Sequence, residues 1–156
     1  MAIKIYIDQG HNPTSPNAGA EGNGYREQDL VYQIGVETKN LLVANGNYTV
    51  RLSRPKPDDY VGNTNAESLR LRAEEANRFG ADLFLSLHTN SALDPAVSGT
   101  EAEAYREGSI AYAVAGSIVD SVSSVTGLRN RGIFIRPGLY VLRKTAMPAV
   151  LAELGF

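Results

Sequence analysis

Short apolar segments that alternate with amphipathic ones constrain the fold of this chain more than any other feature. The segments 3–8, 48–52 and 83–87 are rich in branched apolar and aromatic residues, which is typical of strands. The segments 25–44 and 68–79 carry apolar residues at helical spacing, and each is followed closely by a glycine. Strands that alternate with helices imply an α/β layer fold with a largely parallel sheet.

The same pattern continues towards the end of the sequence. We expect strands at 101–105, 140–142 and 149–154, a third helix at 109–126, and a long loop over 9–24. At 156 residues the chain has the length of one domain. The sequence therefore predicts a single α/β domain, phosphorylase/hydrolase-like, in which about six strands form a twisted, mostly parallel sheet flanked by helices.

Composition excludes several classes of function. The formal net charge of −2 and the lack of a Lys/Arg run argue against a nucleic-acid partner. No apolar stretch approaches the roughly 20 residues that cross a bilayer, so we expect no membrane insertion. Residues 1–8 lack the segments of a signal peptide. Because the chain has no cysteine, disulfides, thiolate metal ligands and a thiol nucleophile are excluded.

The chain has two histidines, and each follows a predicted strand directly. His11 comes after the first strand, and His88 comes after the apolar segment 83–87. In open α/β sheets ligands gather beyond the carboxyl ends of the strands, so both imidazoles are expected at the functional edge. The alternative is that each is an isolated loop histidine with one hydrogen bond, because two histidines alone do not define a metal site.

Glu27 is a candidate carboxylate because of its helical phase. It precedes Leu30, Val31 and Ile34 on the helix face that is expected to pack on the sheet, so its charge would point inward. A metal ion held by two imidazoles would compensate that buried charge. The alternative is an ordinary first-turn acid that the helix dipole stabilises. Spacing leaves three rival carboxylates open: Asp8, Glu21 and Asp29.

Glu153 interrupts the apolar segment 149–154. If that segment is a strand of the same sheet, the carboxyl group lies at its end, towards the two histidines. Partial burial would raise the pKa of this group towards neutrality, which suits a general base that later acts as an acid. A glutamate on the solvated side of an edge strand is the alternative.

Six segments, in order along the chain, carry a family resemblance. They are IYIDQGH (5–11), GYREQD (24–29), DLFLSLHTN (82–90), GTE (99–101), NRGI (130–133) and YVLRKTAMPAVLAELGF (140–156). Together they resemble the catalytic domain of the zinc-dependent N-acetylmuramoyl-L-alanine amidases of the amidase 3 type. No single segment is decisive, but the ordered set is specific.

The resemblance implies both an activity and a site. It implies that His11, Glu27 and His88 hold one Zn²⁺ ion and that Glu153 is the catalytic acid/base. The reaction would be hydrolysis of the amide between the lactyl group of N-acetylmuramic acid and the first L-alanine of peptidoglycan. Peptidoglycan would be the partner, and we expect a monomer that acts at the bacterial cell wall.

The sequence departs from the family pattern at three places. Gln9 stands where Pro or Ala is more common, and Asn12 replaces the usual Gly after the first histidine. Phe156 is followed by neither the helix that usually comes next in the family nor a wall-binding domain, so we expect both to be lacking. The lack of an export signal favours a phage-released endolysin, or a secreted autolysin or sporulation enzyme whose leader has been removed.

Two further residues are expected to contribute to substrate binding. Asn90 is expected to orient His88 or a substrate amide, and Arg131 to meet an acidic group of the stem peptide. The alternatives are an ordinary loop asparagine and a solvated arginine, and Arg143 and Lys144 carry the same ambiguity. Two other functions also stay open. One is a different zinc hydrolase, such as a peptidase or sugar deacetylase, and the other is a wall-binding module without turnover.

Overall fold

The computed structural model describes residues 2–156 as a layered α/β domain. The elements in chain order are β1 (Ile3–Gln9), β2 (Glu21–Gly22), β3 (Tyr25–Arg26), α1 (Glu27–Asn45), β4 (Tyr48–Leu52), α2 (Asn65–Phe79), β5 (Leu83–His88), β6 (Thr100–Ala104), α3 (Ile110–Thr126), β7 (Asn130–Ile135), α4 (Tyr140–Lys144) and β8 (Ala149–Glu153). Within these residues six strands form the main sheet, in the order β4, β1, β5, β8, β6 and β7. The strands β2 and β3 form a separate antiparallel pair.

The main sheet is mostly parallel, as predicted. Strand β1 runs parallel to β4 and β5, β5 to β8, and β6 to β7, whereas β6 and β8 are antiparallel. The register pairs Gln9 with Leu87 and His88 with Glu153. The carboxyl ends of β1, β5 and β8 therefore meet at one edge of the sheet.

Helices cover both faces of the sheet. The first face packs against α2 and α4 through buried residues such as Tyr6 and Phe84, whose rings stack at 5.7 Å between centroids. The opposite face packs against α1 through Val31 and against α3 through Val119. None of the helices within residues 2–156 has the length and apolar character needed to span a membrane.

Sequence signals at the helix ends explain where α2 and α3 begin and end. The side chain of Thr64 accepts a hydrogen bond from the Glu67 amide at the start of α2. At the start of α3 the side chain of Ser109 accepts one from the Tyr112 amide. Gly80 and Gly127 end these helices with φ values of 65° and 73°, which cost glycine little. These ends agree with the predicted helices to within three residues.

The predicted strand 140–142 is wrong, because these residues begin the short helix α4. Val141 and Leu142 are both buried, although a strand would have turned them to opposite faces. A short apolar run does not distinguish a strand from a buried helical turn by itself. The two basic residues that follow lie in the last turn of α4, where the helix dipole favours them.

The sequence pattern does not predict the strand β7, although its first four residues are the NRGI segment. Its first residues, Asn130 to Gly132, are typical of a turn, and Gly132 has a φ of 89°. Pairing with β6 nevertheless continues through Ile133 to Ile135 after a register shift. The sixth strand of the sheet is therefore β7 rather than the predicted segment 140–142.

The buried stripe of α1 differs in part from the predicted one. Its buried residues are Glu27, Gln28, Val31 and Gly35, whereas Ile34 is 37% exposed. At Gly35 an added Cβ would lie 2.5 Å from Cγ of Gln9, so the Gln9 side chain fills the space between this part of the helix and the sheet. The inward orientation predicted for Glu27 is confirmed, since this residue is only 6% exposed.

Candidate metal centre

Three side chains that are distant in sequence meet at the edge where β1 and β5 end. His11 lies in the turn after β1, Glu27 is the first residue of α1, and His88 is the last residue of β5. The Oε1 atom of Glu27 is 3.1 Å from Nε2 of His11 and 3.0 Å from Nδ1 of His88. One ligand atom from each residue lies within 4.8 Å of the others. We call these three residues the His–Glu–His cluster.

The Glu27 carboxylate is held in place by further hydrogen bonds. The Thr89 amide donates to Oε1 at 3.1 Å, and the Ala20 amide donates to Oε2 at 3.0 Å. Burial raises the pKa of Glu27, but the hydrogen bonds from His11 and His88 outweigh it and hold the pKa far below its usual range. Glu27 therefore places a full negative charge between two imidazoles.

The donor set of the cluster suits a divalent metal. Two imidazoles and one carboxylate match the three protein ligands of an open catalytic zinc site. The imidazole nitrogens that face the carboxylate, Nε2 of His11 and Nδ1 of His88, are the donor atoms that such an ion would use. These residues could hold a metal ion.

Two glycines allow the backbone to approach the cluster closely. A Cβ added at Gly10 would lie 2.5 Å from Cε1 of His88, and one at Gly19 would lie 2.8 Å from Oε2 of Glu27. Any larger residue at either position would displace an imidazole or the carboxylate. Glycine at these two positions therefore lets the turn after β1 and the segment before β2 lie directly against the cluster.

Glu153 lies beside the cluster on the neighbouring strand. Its Cα pairs with that of His88 across β5 and β8, and its Oε2 is buried without a partner within the described residues. Burial, and then the negative charges of Glu27, Glu103 and Glu101, raise the pKa of Glu153 to about 8. This carboxyl group can therefore release and recover a proton near neutral pH.

A second carboxylate, Glu101, joins the two residues predicted as substrate contacts. It pairs with Glu153 across β6 and β8, and it is 6% exposed. Nε of Arg131 donates to its Oε2 at 2.6 Å, and Nδ2 of Asn90 donates to its Oε1 at 2.9 Å. The sequence pattern assigns no role to Glu101, the last residue of the GTE segment. Glu101 and Glu103 alternate with alanines in β6, which indicates a strand face that carries carboxylates but does not distinguish the two residues.

Asn90 makes hydrogen bonds with protein groups through both its backbone and its side chain. Its amide N–H donates to the Gly155 carbonyl at 2.7 Å, and its Oδ1 accepts from the Ser91 amide at 2.9 Å. With its Nδ2 on Glu101, the residue ties the loop after β5 to β6. Arg131 instead stays 30% exposed, with its guanidinium 5.1 Å from the ring centroid of Phe156.

The three rival carboxylates lie outside the cluster. Asp8 is 2% exposed, and its Oδ1 accepts from Nη1 of Arg72 at 2.5 Å. Burial raises the pKa of Asp8, but the charge and hydrogen bond of Arg72 outweigh it and lower the pKa. Glu21 and Asp29 are exposed, and both pair with Arg26. Each rival therefore has an arginine partner away from the two imidazoles.

The two basic residues of α4 belong to a different part of the molecule. The Lys144 carbonyl accepts from Nδ2 of Asn77, near the end of α2, and Arg143 lies over the ring of Tyr140. The end of α2 leads into the start of β5, so the end of α4 lies at the edge of the sheet opposite the cluster.

A cleft of about 430 Å³ borders the cluster on the side of α1. It is lined by the β2–β3 pair, the loop 89–97, residues of α1 including Glu27, and residues 154–156. Glu153 and Arg131 do not line it. The cleft therefore reaches only one ligand of the cluster, and the carboxyl group with the raised pKa lies outside it.

Comparison with known proteins agrees with the resemblance carried by the six sequence segments. A family model described as N-acetylmuramoyl-L-alanine amidase matches residues 5–156. The sporulation-specific N-acetylmuramoyl-L-alanine amidase of Bacillus subtilis (strain 168) is 35% identical over 157 residues, which cover 99% of this chain and 56% of that protein. The endolysin of Bacillus phage SPP1 is 31% identical over 159 residues, covering 98% of this chain and 54% of the endolysin. The chain thus spans about half the length of these relatives.

A solved structure shows the same fold. The N-acetylmuramoyl-L-alanine amidase from Clostridium difficile 630 superposes with a TM-score of 0.85 at 31% identity, over 99% of this chain and 80% of that one. The agreement covers the whole α/β domain. It includes the mostly parallel sheet of six strands flanked by helices.

Proposed function

Because this chain belongs to the N-acetylmuramoyl-L-alanine amidase family, we propose that it hydrolyses the amide between N-acetylmuramic acid and L-alanine in peptidoglycan. The observation that carries the proposal is the meeting of His11, Glu27 and His88 beside Glu153. We also propose that the chain acts at the bacterial cell wall, as an endolysin or as a secreted wall enzyme. A sporulation-specific N-acetylmuramoyl-L-alanine amidase and a phage endolysin among the relatives support this statement.

The His–Glu–His cluster would hold one Zn²⁺ ion. When bound, such an ion lowers the pKa of water to about 7 and polarises a carbonyl group. The chain fixes its three ligands in advance. The Glu27 carboxylate is held by the Thr89 and Ala20 amides, and both histidines lie against it. The negative charge of Glu27 compensates a cation at this half-buried position.

Glu153 would move the proton that hydrolysis requires. The amide nitrogen must gain a proton to leave, and the attacking water must lose one. A carboxyl group with a pKa of about 8 can do both near neutral pH, first as base and then as acid. Its Oε2 is free of hydrogen bonds within residues 2–156, so no protein donor occupies the oxygen that would take up the proton.

Arg131 and Asn90 would contribute to the binding of the substrate. Glu101 holds Nε of Arg131, which orients the guanidinium and leaves its other N–H groups without a partner among the described residues. A guanidinium held in this way suits a carboxylate of the stem peptide. Asn90 would act indirectly, because its side chain fixes Glu101 and the loop after His88.

Product analysis on purified peptidoglycan tests the proposal. We expect free stem peptides with a new N-terminal alanine, no new reducing sugar, no acetate, and loss of all products with a chelator. Released acetate would show a deacetylase, and cleavage inside the peptide would show a peptidase. Binding to the wall without any product would show a binding module. Each of those three results would overturn the proposed amidase activity.

A further inference from the structure

A buried arginine lies directly beneath the turn that carries His11. Arg72, in α2, is 1% exposed. Its Nη1 donates to the Gln9 carbonyl at 2.6 Å, and its Nη2 donates to the His11 carbonyl at 2.6 Å and to Oδ1 of Asn12 at 3.2 Å. One guanidinium therefore holds the backbone on both sides of Gly10 and the residue after the imidazole.

The backbone at His11 needs such support. His11 has a φ of 67°, in the left-handed region that residues other than glycine adopt uncommonly. Such a conformation persists only when the surrounding contacts determine it strongly. The hydrogen bond to the His11 carbonyl fixes the peptide plane that follows this residue. That contact sets the direction in which the imidazole leaves the turn.

The same guanidinium is connected to the strand that carries the second imidazole. Nη1 of Arg72 also donates to Oδ1 of Asp8 at 2.5 Å, and Ser86 donates to Oδ2 of Asp8 at 2.8 Å. Ser86 lies two residues before His88 on β5. The buried chain of contacts thus runs from the turn of His11, through Arg72 and Asp8, to the strand of His88.

A lysine could not make these contacts together. Arg72 uses Nε on Ser68 at 3.2 Å in addition to both terminal nitrogens, and a planar fork of donors is needed to reach all of them. Arg54 is equally buried but serves other groups, the carbonyls of Gln28 and Pro57. The contacts with the His11 turn are specific to Arg72.

We propose that Arg72 is a positioning residue that sets the metal affinity of the His–Glu–His cluster by holding the turn from Gln9 to Asn12. This inference rests on the metal site of the proposed function. The site would be preorganised by a residue that holds the backbone of a ligand and contacts neither metal nor substrate. Residues that hold metal ligands in place typically change metal affinity by about 10- to 100-fold when they are replaced.

The test compares Arg72→Lys with Tyr6→Phe in the same chain. Tyr6 is also fully buried, and its hydroxyl donates to Glu75 at 2.8 Å and to no group of residues 9–12. Zinc dissociation constants are measured by competition with a chromophoric chelator, and the melting temperature of each metal-free protein is measured in parallel. We expect Arg72→Lys to bind zinc about 10- to 100-fold more weakly, and Tyr6→Phe to stay within about threefold of the parent.

A second variant covers the case in which Arg72→Lys does not fold. The double variant Asp8→Asn/Arg72→Gln leaves no unpaired buried charge, and its glutamine is too short to reach the His11 carbonyl. We expect the same loss of zinc affinity in it. A folded Arg72 variant that binds zinc as tightly as Tyr6→Phe overturns the role of Arg72 and leaves the metal site standing. A parent chain that binds no zinc overturns the site itself, and this inference with it.

Discussion

The two halves of the sheet are built from different kinds of buried side chain. The half formed by β1, β4 and β5, which we call the site half, buries many polar residues with α1 and α2: Asp8, Gln9, Asn12, Glu27, Gln28, Ser53, Arg54, Ser68, Arg72 and Ser86. The half formed by β6 and β7 with α3, which we call the alanine half, buries small apolar ones: Ala102, Ala104, Ala111, Ala115 and Val119. Its buried polar residues, Thr100 and Glu101, lie on β6 at the border with Glu153.

This difference separates positioning from packing. Hydrogen bonds are directional, so a satisfied buried network fixes the places of particular atoms, which a metal site requires. Apolar contacts have no direction and mainly stabilise the domain. Changes in the site half should therefore alter metal binding and catalysis beyond their effect on stability. Changes among the buried apolar residues of the alanine half should alter stability alone.

The largest effect is expected from His88→Ala in the site half. Loss of one of three ligands removes the metal, and with it several kcal/mol of stabilisation of the transition state. We expect hydrolysis of purified peptidoglycan to fall by about a thousandfold or more. Release of N-terminal alanine over time measures this. A variant that keeps the parent's rate would show that His88 does not serve the reaction.

A large effect without loss of metal is expected from Glu153→Gln. The amide keeps the size of the side chain but cannot exchange a proton, so kcat/KM should fall by about 10²- to 10⁴-fold. Zinc affinity should stay within a few fold of the parent, because Glu153 is not one of the three proposed ligands. If the variant loses both zinc and activity, Glu153 binds the metal and is not only a proton-transfer group.

A medium effect is expected on the pH dependence of stability in the metal-free protein. Folding raises the pKa of Glu153 from 4.5 to about 8, so the folded state binds this proton more tightly than the unfolded state. The resulting stabilisation is complete below about pH 4.5 and is lost as the pH rises through about 8. Because one pKa unit corresponds to about 1.4 kcal/mol, denaturant unfolding should show that the parent loses up to about 5 kcal/mol relative to Glu153→Gln across this range. If the unfolding free energies of the parent and of Glu153→Gln change with pH in the same way, the raised pKa of Glu153 is contradicted.

The smallest effect is expected from Val119→Ala in the alanine half. Val119 is 1% exposed in the core between α3 and the sheet. Removing its two methyl groups should cost about 1–2 kcal/mol of unfolding free energy through lost burial and a small cavity. Zinc affinity and kcat/KM should match the parent at a temperature where both proteins are folded. A clear drop in zinc affinity would break the separation between the two halves.

Local sequence patterns marked the four site residues as candidates, and the family resemblance selected them among the alternatives that spacing left open. His11 and His88 follow strands directly, Glu27 has the phase of a buried helix face, and Glu153 interrupts an apolar strand. The structure brings these four side chains to one edge of the sheet. The same reasoning gave the single α/β domain and the largely parallel sheet.

Residues whose role depends on distant partners could not be predicted in this way. Asp8 stayed a rival ligand because its partner, Arg72, lies 64 positions away on another element. Glu101 and Arg131 are 30 positions apart and meet only through the pairing of β6 with β7. No local pattern distinguishes such arginines from solvated ones. Tertiary contacts decide their function.

Anomalous diffraction from crystals grown with zinc, measured on both sides of the zinc absorption edge, tests the central claim most directly. The account predicts one strong anomalous peak per chain, within bonding distance of His11, Glu27 and His88 and beside Glu153. A peak at other residues, or no peak in crystals of active protein, would contradict it.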